Sequence, residues 1–313
     1  MRHNSAMSSK ILVIGGIGQI GHELGRGQWP AGLAAEFVER DQFDLGRPAE
    51  VRQAVVAMRP RIVINAGAYT AVDQAEAERD AAFAVNRDGP AALAEACREI
   101  GAALIHFSTD YVFDGTKPGP YTETDPVNPL SAYGASKAAG DAAIAKALDR
   151  HVILRTSWVY SAVGHNFVKT MLRLGAERDE LRIVDDQHGA PTAAAELARA
   201  AIHIAAAIDA GKQGGFGVYN FTGAGATTWY GFAREIFAGA AERGAKAPLR
   251  VRPIATEDYP LPAPRPRNSR LDCGKIARTY GLAAKPWQDS LSDCLDELIG
   301  PARRLRSAQG GGR

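Results

Sequence analysis

A continuous apolar run, Ile11-Leu12-Val13-Ile14, passes without a break into Gly15-Gly16-Ile17-Gly18-Gln19-Ile20-Gly21, and a helix-like segment opens near Gln19. No other feature constrains the fold as much. A short apolar run closed by glycines reads as a buried strand, and the turn after it lets a helix begin against bare backbone. The alternation then repeats. Strands are expected at 36–39, 61–65, 103–108 and 151–156, separated by alanine-rich helices at 48–58, 80–100 and 132–148. Strands alternating with helices build a parallel sheet covered on both faces, so the fold class is α/β, a doubly wound, Rossmann-like sheet.

In such a sheet a glycine-rich first turn has a chemical use. Gly15, Gly18 and Gly21 are three apart, and Gly16, Gly18 and Gly21 satisfy the GxGxxG spacing. Both registers put glycine where a pyrophosphate must approach free N–H groups at a helix N-terminus, so a dinucleotide cofactor is expected. The acidic residue that usually holds the adenosine ribose lies about 20 positions on. Glu39, Arg40 and Asp41 stand there with conflicting charges, which leaves NADH and NADPH both open.

Past residue 160 the pattern loosens: helices are expected at 166–176, 192–208 and 289–299, and strands at 181–184 and 218–221. Pro253, Pro260, Pro262, Pro264 and Pro266 mark an extended segment. The expected organisation is a disordered leader at 1–10 and a dinucleotide-binding domain at 11–160. A mainly substrate-binding C-terminal domain at 161–300 follows, some of its segments returning to the sheet, and then a disordered tail at 301–313. The 313 residues suffice for one large or two moderate domains. With 37 Lys+Arg against 35 Asp+Glu the net charge is +2, which argues against nucleic acid as the main partner. The three cysteines follow no metal or disulfide pattern, and no apolar run approaches the roughly 20 residues of a membrane span. A cytoplasmic protein is expected.

Of nine tyrosines only Tyr133 has a lysine four residues on, Lys137, and positions i and i+4 share a helix face. A free phenol titrates near about 10, and a neighbouring ammonium is expected to favour its anion. Upstream, Ser108-Thr109-Asp110-Tyr111 closes an expected strand at its carboxyl end, the ligand-binding edge of open parallel sheets. Nicotinamide supplying hydride, Tyr133 a proton and Thr109 a hydrogen bond to a carbonyl oxygen make one coherent site.

These residues resemble the extended short-chain dehydrogenase/reductase superfamily and, within it, the dTDP-4-dehydrorhamnose reductase family. The likeness runs from about Ile11 to Glu297 through Gly15 to Gly21, Asn65-Ala66-Gly67-Ala68-Tyr69-Thr70, Ser108 to Phe113 and Asn128 to Gly134. Arg155 to Tyr160, Asp186-Gln187 to Pro191-Thr192, and Arg265-Pro266 with Asn268-Ser269-Arg270-Leu271 continue it. The resemblance implies NAD(P)H-dependent reduction of the C4 ketone of dTDP-4-dehydrorhamnose, the last step of dTDP-L-rhamnose synthesis. It gives Tyr133 as proton donor, Lys137 as its modulator and ribose anchor, and Thr109 as carbonyl hydrogen-bond donor. Gly15, Gly18, Gln19 and Ile20 would meet the pyrophosphate, Asp44 and Leu45 the adenine, and Gly67, Ala68 and Tyr69 the ribose side. Asp110, Tyr111 and Trp158 would line the sugar pocket, and Arg265 and Asn268 would reach the diphosphate. It further puts Glu23, Glu196 and Glu297 where some members hold Mg²⁺ between the subunits of a homodimer. Tyr69 stands where members commonly have histidine, and Arg267 where they often have a small residue. The alternatives are a non-catalytic NADP-binding subunit like the regulatory subunit of methionine adenosyltransferase, and a reductase or epimerase for another nucleotide deoxysugar.

Overall fold

Each strand expected in the first half forms, with ends within a residue or two of the sequence reading. The computed structural model describes residues 11–212 and 214–302; the leader at 1–10 and the tail from 303 onward lie outside the described residues. The chain enters as β1 (Ile11–Ile14), α1 (Gln19–Arg26), β2 (Ala35–Val38), α2 (Pro48–Met58) and β3 (Ile62–Asn65). Next come α3 (Arg79–Phe83), a π-helical turn (Ala84–Asp88), α4 (Gly89–Ile100), β4 (Ala103–Thr109), α5 (Ala132–Ala147) and β5 (His151–Thr156). Then follow β6 (Val159–Tyr160), α6 (Phe167–Glu177), β7 (Glu180–Val184), β8 (His188–Gly189), β9 (Thr192–Ala193) and α7 (Ala194–Asp209). The last elements are β10 (Gly217–Asn220), β11 (Thr227–Thr228), α8 (Trp229–Glu242), β12 (Arg250–Ile254), α9 (Gly274–Tyr280) and α10 (Trp287–Ile299).

Six strands pair in the order β2-β1-β3-β4-β5-β10, all parallel. Strands β1, β3, β4 and β5 are buried at every position, as strands with helices on both faces must be. Helices α1 and α7 cover one face through Leu24, Leu197, Ala201 and Ile204. On the other, Val51, Val55, Leu93, Cys97 and Ile144 of α2, α4 and α5 pack against Leu12, Val63 and Leu104. Because the chain steps from β1 to β2 on one side and then to β3 on the other, the order reverses between β1 and β3. Open sheets hold ligands outside the carboxyl ends of their strands at such a reversal.

Past residue 160 the chain divides between two bodies. A separate core joins α6, α8 and α10 to β7 through Met171, Phe232, Ile236, Trp287 and Leu291. In it β7 and β12 pair in parallel, Glu180 opposite Arg250. In contrast α7, β10 and α9 lie on the large sheet, where Tyr219, Ile276 and Tyr280 join its core. The expected 80–100 helix is interrupted by the π-helical turn that carries Asn86, and the helix expected from 192 begins at Ala194 because Thr192 and Ala193 pair with β6. Among the described residues no helix is long and apolar enough to cross a membrane.

Candidate active site

The glycine loop is shaped by contacts that only glycine allows. Gly15 has φ +87°, and a Cβ there would lie 2.7 Å from the Gly67 nitrogen, while one on Gly21 would lie 2.1 Å from the Gly15 oxygen. Helix α1 is thereby seated hard against the Gly15 turn, and that turn against the backbone that follows β3. Gly18 caps that helix with no side-chain cap hydrogen bond, which leaves its N-terminus bare and suited to a pyrophosphate. Gln19 is held from the second body, its Oε1 accepting from Ser161 Oγ at 3.2 Å and Asn166 Nδ2 at 2.9 Å. Ile20 packs inward, while Ile17 stands exposed at the loop tip. Beside Gly67, Leu45 is buried and Asp44 Oδ1 accepts the Gly46 N–H at 3.0 Å. Arg40 is exposed and lies 3.9 Å from Asp44.

Ala68 and Tyr69 continue from Gly67 past the end of β3. Asn86 clamps this loop: its Oδ1 accepts the Tyr69 N–H at 2.9 Å and its Nδ2 donates to the Tyr69 carbonyl at 3.0 Å and Ser136 Oγ at 2.9 Å. The Tyr69 hydroxyl is spent on Glu78, 2.8 Å away.

Helix α5 brings its residues to the same edge. Ser131 caps it by accepting the Gly134 N–H at 3.1 Å, and Gly134 is required because a Cβ would meet the Tyr111 carbonyl at 2.2 Å. Tyr133 and Lys137 therefore face the end of β4 from consecutive turns. The Tyr133 ring meets Tyr111 edge-on at 5.6 Å. Thr109 Oγ1 accepts the Tyr111 N–H at 3.2 Å and donates to Asp110 Oδ1 at 3.1 Å. Lys137 is buried, its Nζ donating to the Phe107 carbonyl at 2.7 Å and lying 3.1 Å from His106 Nε2.

Burial dominates the electrostatics. It pushes the Tyr133 phenol above its usual range, with Thr109 opposing and Asp110 and Asp141 reinforcing. That corrects the expectation from spacing alone, in which the lysine favours phenolate: Lys137 is turned to His106 and Phe107, and desolvation wins. Burial lowers Lys137 to about 8 against the opposing field of Asp141, and raises Asp110 to about 6 against hydrogen bonds from Ser269 and Thr109.

Trp158 follows β5 with φ +49°, stacks on Trp229 at 3.7 Å and fits over Gly189, where a Cβ would lie 2.5 Å from its ring. The proline-rich segment is strapped across: Arg265 binds Asp73 at 2.8 Å, and burial raises the Asp73 carboxyl less than its hydrogen bonds from Arg265 and Ala263 lower it. Asn268 is engaged on every side, donating to the Lys117 and Gly119 carbonyls at 2.7 and 2.8 Å and accepting from Arg270 N and Nε at 3.2 and 2.8 Å. It braces the strap.

Glu23, Glu196 and Glu297 come together around one cavity of about 120 Å³, yet each is answered within the chain. Arg26 lies 3.9 Å from Glu23 and 2.6 Å from Glu297, and Arg199 lies 2.7 Å from Glu196. Among the described residues of this one chain no group of three or more His, Cys, Asp or Glu side chains is placed to hold a metal ion, and nothing here supports the expected Mg²⁺.

The model of the RmlD substrate binding domain matches residues 9–299. The chain belongs to the RmlD substrate binding domain family. The dTDP-4-dehydrorhamnose reductase of Burkholderia thailandensis is 44% identical over 296 residues, 93% of this chain and 99% of that one. A Bacillus anthracis dTDP-4-dehydrorhamnose reductase solved with NADP superposes with a TM-score of 0.84 at 36% identity, over 93% of this chain and 100% of that one. The fold extends to a Thermus thermophilus UDP-glucose 4-epimerase bound to NAD, with a TM-score of 0.74 at 25% identity, over 93% of this chain and 99% of that one. Neither alternative function is favoured beside an RmlD-family relative matched through 99% of its length.

The sequence reading passed over His106, Asn86 and Asp141, and took Asn65 and Arg155 only as parts of the family stretches. Asp141 and Arg155 form a buried pair at 3.2 Å beneath the site. His106 and Arg155 carried a local signal, each a basic residue inside a largely apolar strand.

Proposed function

We propose that this chain reduces the C4 ketone of dTDP-4-dehydro-L-rhamnose to dTDP-L-rhamnose with NADPH or NADH. The observation that carries the reading is the convergence of Thr109, Tyr133 and Lys137 on the edge that also bears the bare N-terminus of α1, in a chain so close to the curated reductases. When bound, the nicotinamide supplies hydride to C4. The Tyr133 O–H, held neutral by burial, gives its proton to the ketone oxygen as charge builds there. Thr109 has one O–H, now turned to Asp110, and swinging it to the ketone adds a second hydrogen bond to the same oxygen. Lys137 sits one turn behind, turned to His106 and Phe107 rather than bonded to the phenol, and when protonated it lends only its field to the phenolate that forms. Gly15, Gly18, Gln19 and Ile20 receive the pyrophosphate, with Asp44 and Leu45 at the adenine and Gly67, Ala68 and Tyr69 at the ribose. Asp110, Tyr111 and Trp158 border the sugar, Arg265 faces the diphosphate, and Asn268 shapes the strap that carries Arg265. The homodimer belongs to this proposal, with solution mass as its test.

Purified protein given the ketosugar should consume NADPH or NADH, followed by near-ultraviolet absorbance, with kcat/KM higher for the dTDP than for the UDP ketosugar. Absence of ketosugar-dependent oxidation with either cofactor overturns the reading.

A further inference from the structure

His106 lies in β4 with no exposed surface, between Asn65 of β3 and Lys137 of α5. Its Nδ1 is 3.0 Å from Asn65 Nδ2, its Nε2 is 3.1 Å from Lys137 Nζ, and Asn65 Oδ1 accepts the Gly67 N–H at 3.1 Å. Together these contacts fix where the hydrogens go. A backbone N–H can only donate, so the amide oxygen of Asn65 faces Gly67 and its nitrogen faces the ring. Nδ1 is then an acceptor, and a neutral imidazole carries its proton on Nε2, assigned here from its partners. That Nε2–H is satisfied only by an unprotonated lysine, whose lone pair accepts while its own N–H reaches the Phe107 carbonyl. An ammonium offers three donors and no acceptor. It demands the other tautomer, whose Nδ1–H collides with the Asn65 N–H unless that amide turns over and surrenders Gly67.

We infer that His106 is a positioning residue for Lys137, a tautomeric relay that ties the charge on the lysine to the Asn65–Gly67 hydrogen bond at the cofactor side of the site. Its catalytic consequence rests on the reductase reading above. When Lys137 takes up one proton, the ring keeps its single proton and moves it from Nε2 to Nδ1. Burial, with Lys137 adding to it, holds the imidazole well below its usual titration range, so the ring stays neutral and responds by tautomer alone. The other charged and titratable groups around the Lys137 pocket are Tyr133 and Asp141 from α5, Arg155 from β5, paired with Asp141, and Asp110 beyond β4. Strand β3 offers only the uncharged Asn65. Asp141 favours the ammonium and the relay opposes it. Gly67, which binds Asn65, sits against the Gly15 turn, so cofactor seated there bears on the same network.

The test reads the tautomer directly, by ¹⁵N NMR of the whole protein labelled at histidine, with His106→Gln identifying the His106 signals. The Nε2–H form is expected at pH 9.5 and the Nδ1–H form at pH 6.5; one tautomer throughout overturns the relay. The kinetic arm uses two near-isosteric variants. In Asn65→Asp one carboxylate accepts from both Gly67 N–H and Nδ1–H, and in His106→Gln an amide oxygen can accept from the ammonium without added charge. Each should move the alkaline limb of kcat/KM upward by about one pH unit, leaving about fivefold more of its own maximal activity at pH 9 than the parent retains. A limb unmoved in both variants, whatever their kcat or melting temperature, makes His106 merely structural and overturns the inference. If the parent does not turn over the ketosugar, the functional reading falls while the NMR result still decides the relay.

Discussion

Replacing Lys137 with methionine should stabilise the protein at neutral pH while removing its activity. The side chain is 2% exposed, and burial lowers its ammonium from 10.5 to about 8. A displacement of that size corresponds to about 3 kcal/mol of preference for the neutral amine. The folded chain binds fewer protons than the unfolded one between pH 8 and 10.5, so stability climbs with pH through that window, and below pH 8 the whole penalty is present. Methionine has a similar length and no proton to lose. Against the gain stand the hydrogen bonds to the Phe107 carbonyl and His106, each worth about 1 kcal/mol. Lys137→Met should therefore exceed the parent by about 1 kcal/mol at pH 7 and fall below it by about 2 kcal/mol near pH 10.5. Equilibrium urea unfolding of both proteins at matched pH measures the gap, and other titrating groups cancel in the difference. A gap that stays constant from pH 7 to 10.5 would refute the assignment of a buried, displaced lysine.

Tyr133→Phe should keep cofactor affinity, measured by fluorescence titration, and lose about 10²- to 10⁴-fold in kcat, the usual range for a positioned proton donor. Gly140→Ala puts a Cβ 2.0 Å from the Asn86 carbonyl oxygen, and thermal unfolding should show a loss of about 1–3 kcal/mol as α5 is pushed off the π-helical turn. Asp110 sits at about 6, above its ordinary 3.8, so the folded chain binds the extra proton and stability falls as pH rises from 4 to 6. Asp110→Asn should gain on the parent across that interval, and an unfolding difference flat between pH 4 and 6 would contradict it. Trp158→Ala should raise KM for the nucleotide sugar and leave cofactor affinity unchanged, because its ring stacks on Trp229 of the second body.

How much of this was legible follows from range. Strands β1, β3, β4 and β5 announce themselves because a strand buried on both faces is a short aliphatic run, and the Gly15, Gly18 and Gly21 turn follows from local sterics. Tyr133 and Lys137 are four apart, so helix geometry alone puts them on one face. The partners of Lys137 come from residues 30 and 31 positions away, and those of His106 from another strand and from α5, where periodicity says nothing. Helix α8 did carry a readable stripe in Phe232, Ala233, Ile236, Phe237 and Ala240, obscured by Gly231 and Gly239 among aromatic residues. Strand β12 was hidden by Arg250, Arg252 and Pro253 and exists by pairing with distant β7. The direction of the Tyr133 displacement could not be read at all, since it depends on how deeply the phenol is buried.

The last strand of the main sheet has a cost during synthesis. β5 ends at Thr156, but its neighbour β10 begins only at Gly217, after β6 through α7 have been made. A chain emerging from the ribosome therefore carries an unpaired, strongly apolar sheet edge, Val152, Ile153 and Leu154, while the intervening segment is translated. An exposed edge of that kind is where non-native strands add and nascent chains associate. Slowing translation between codons 160 and 217 should lower the soluble yield, and supplying a holdase chaperone should restore it.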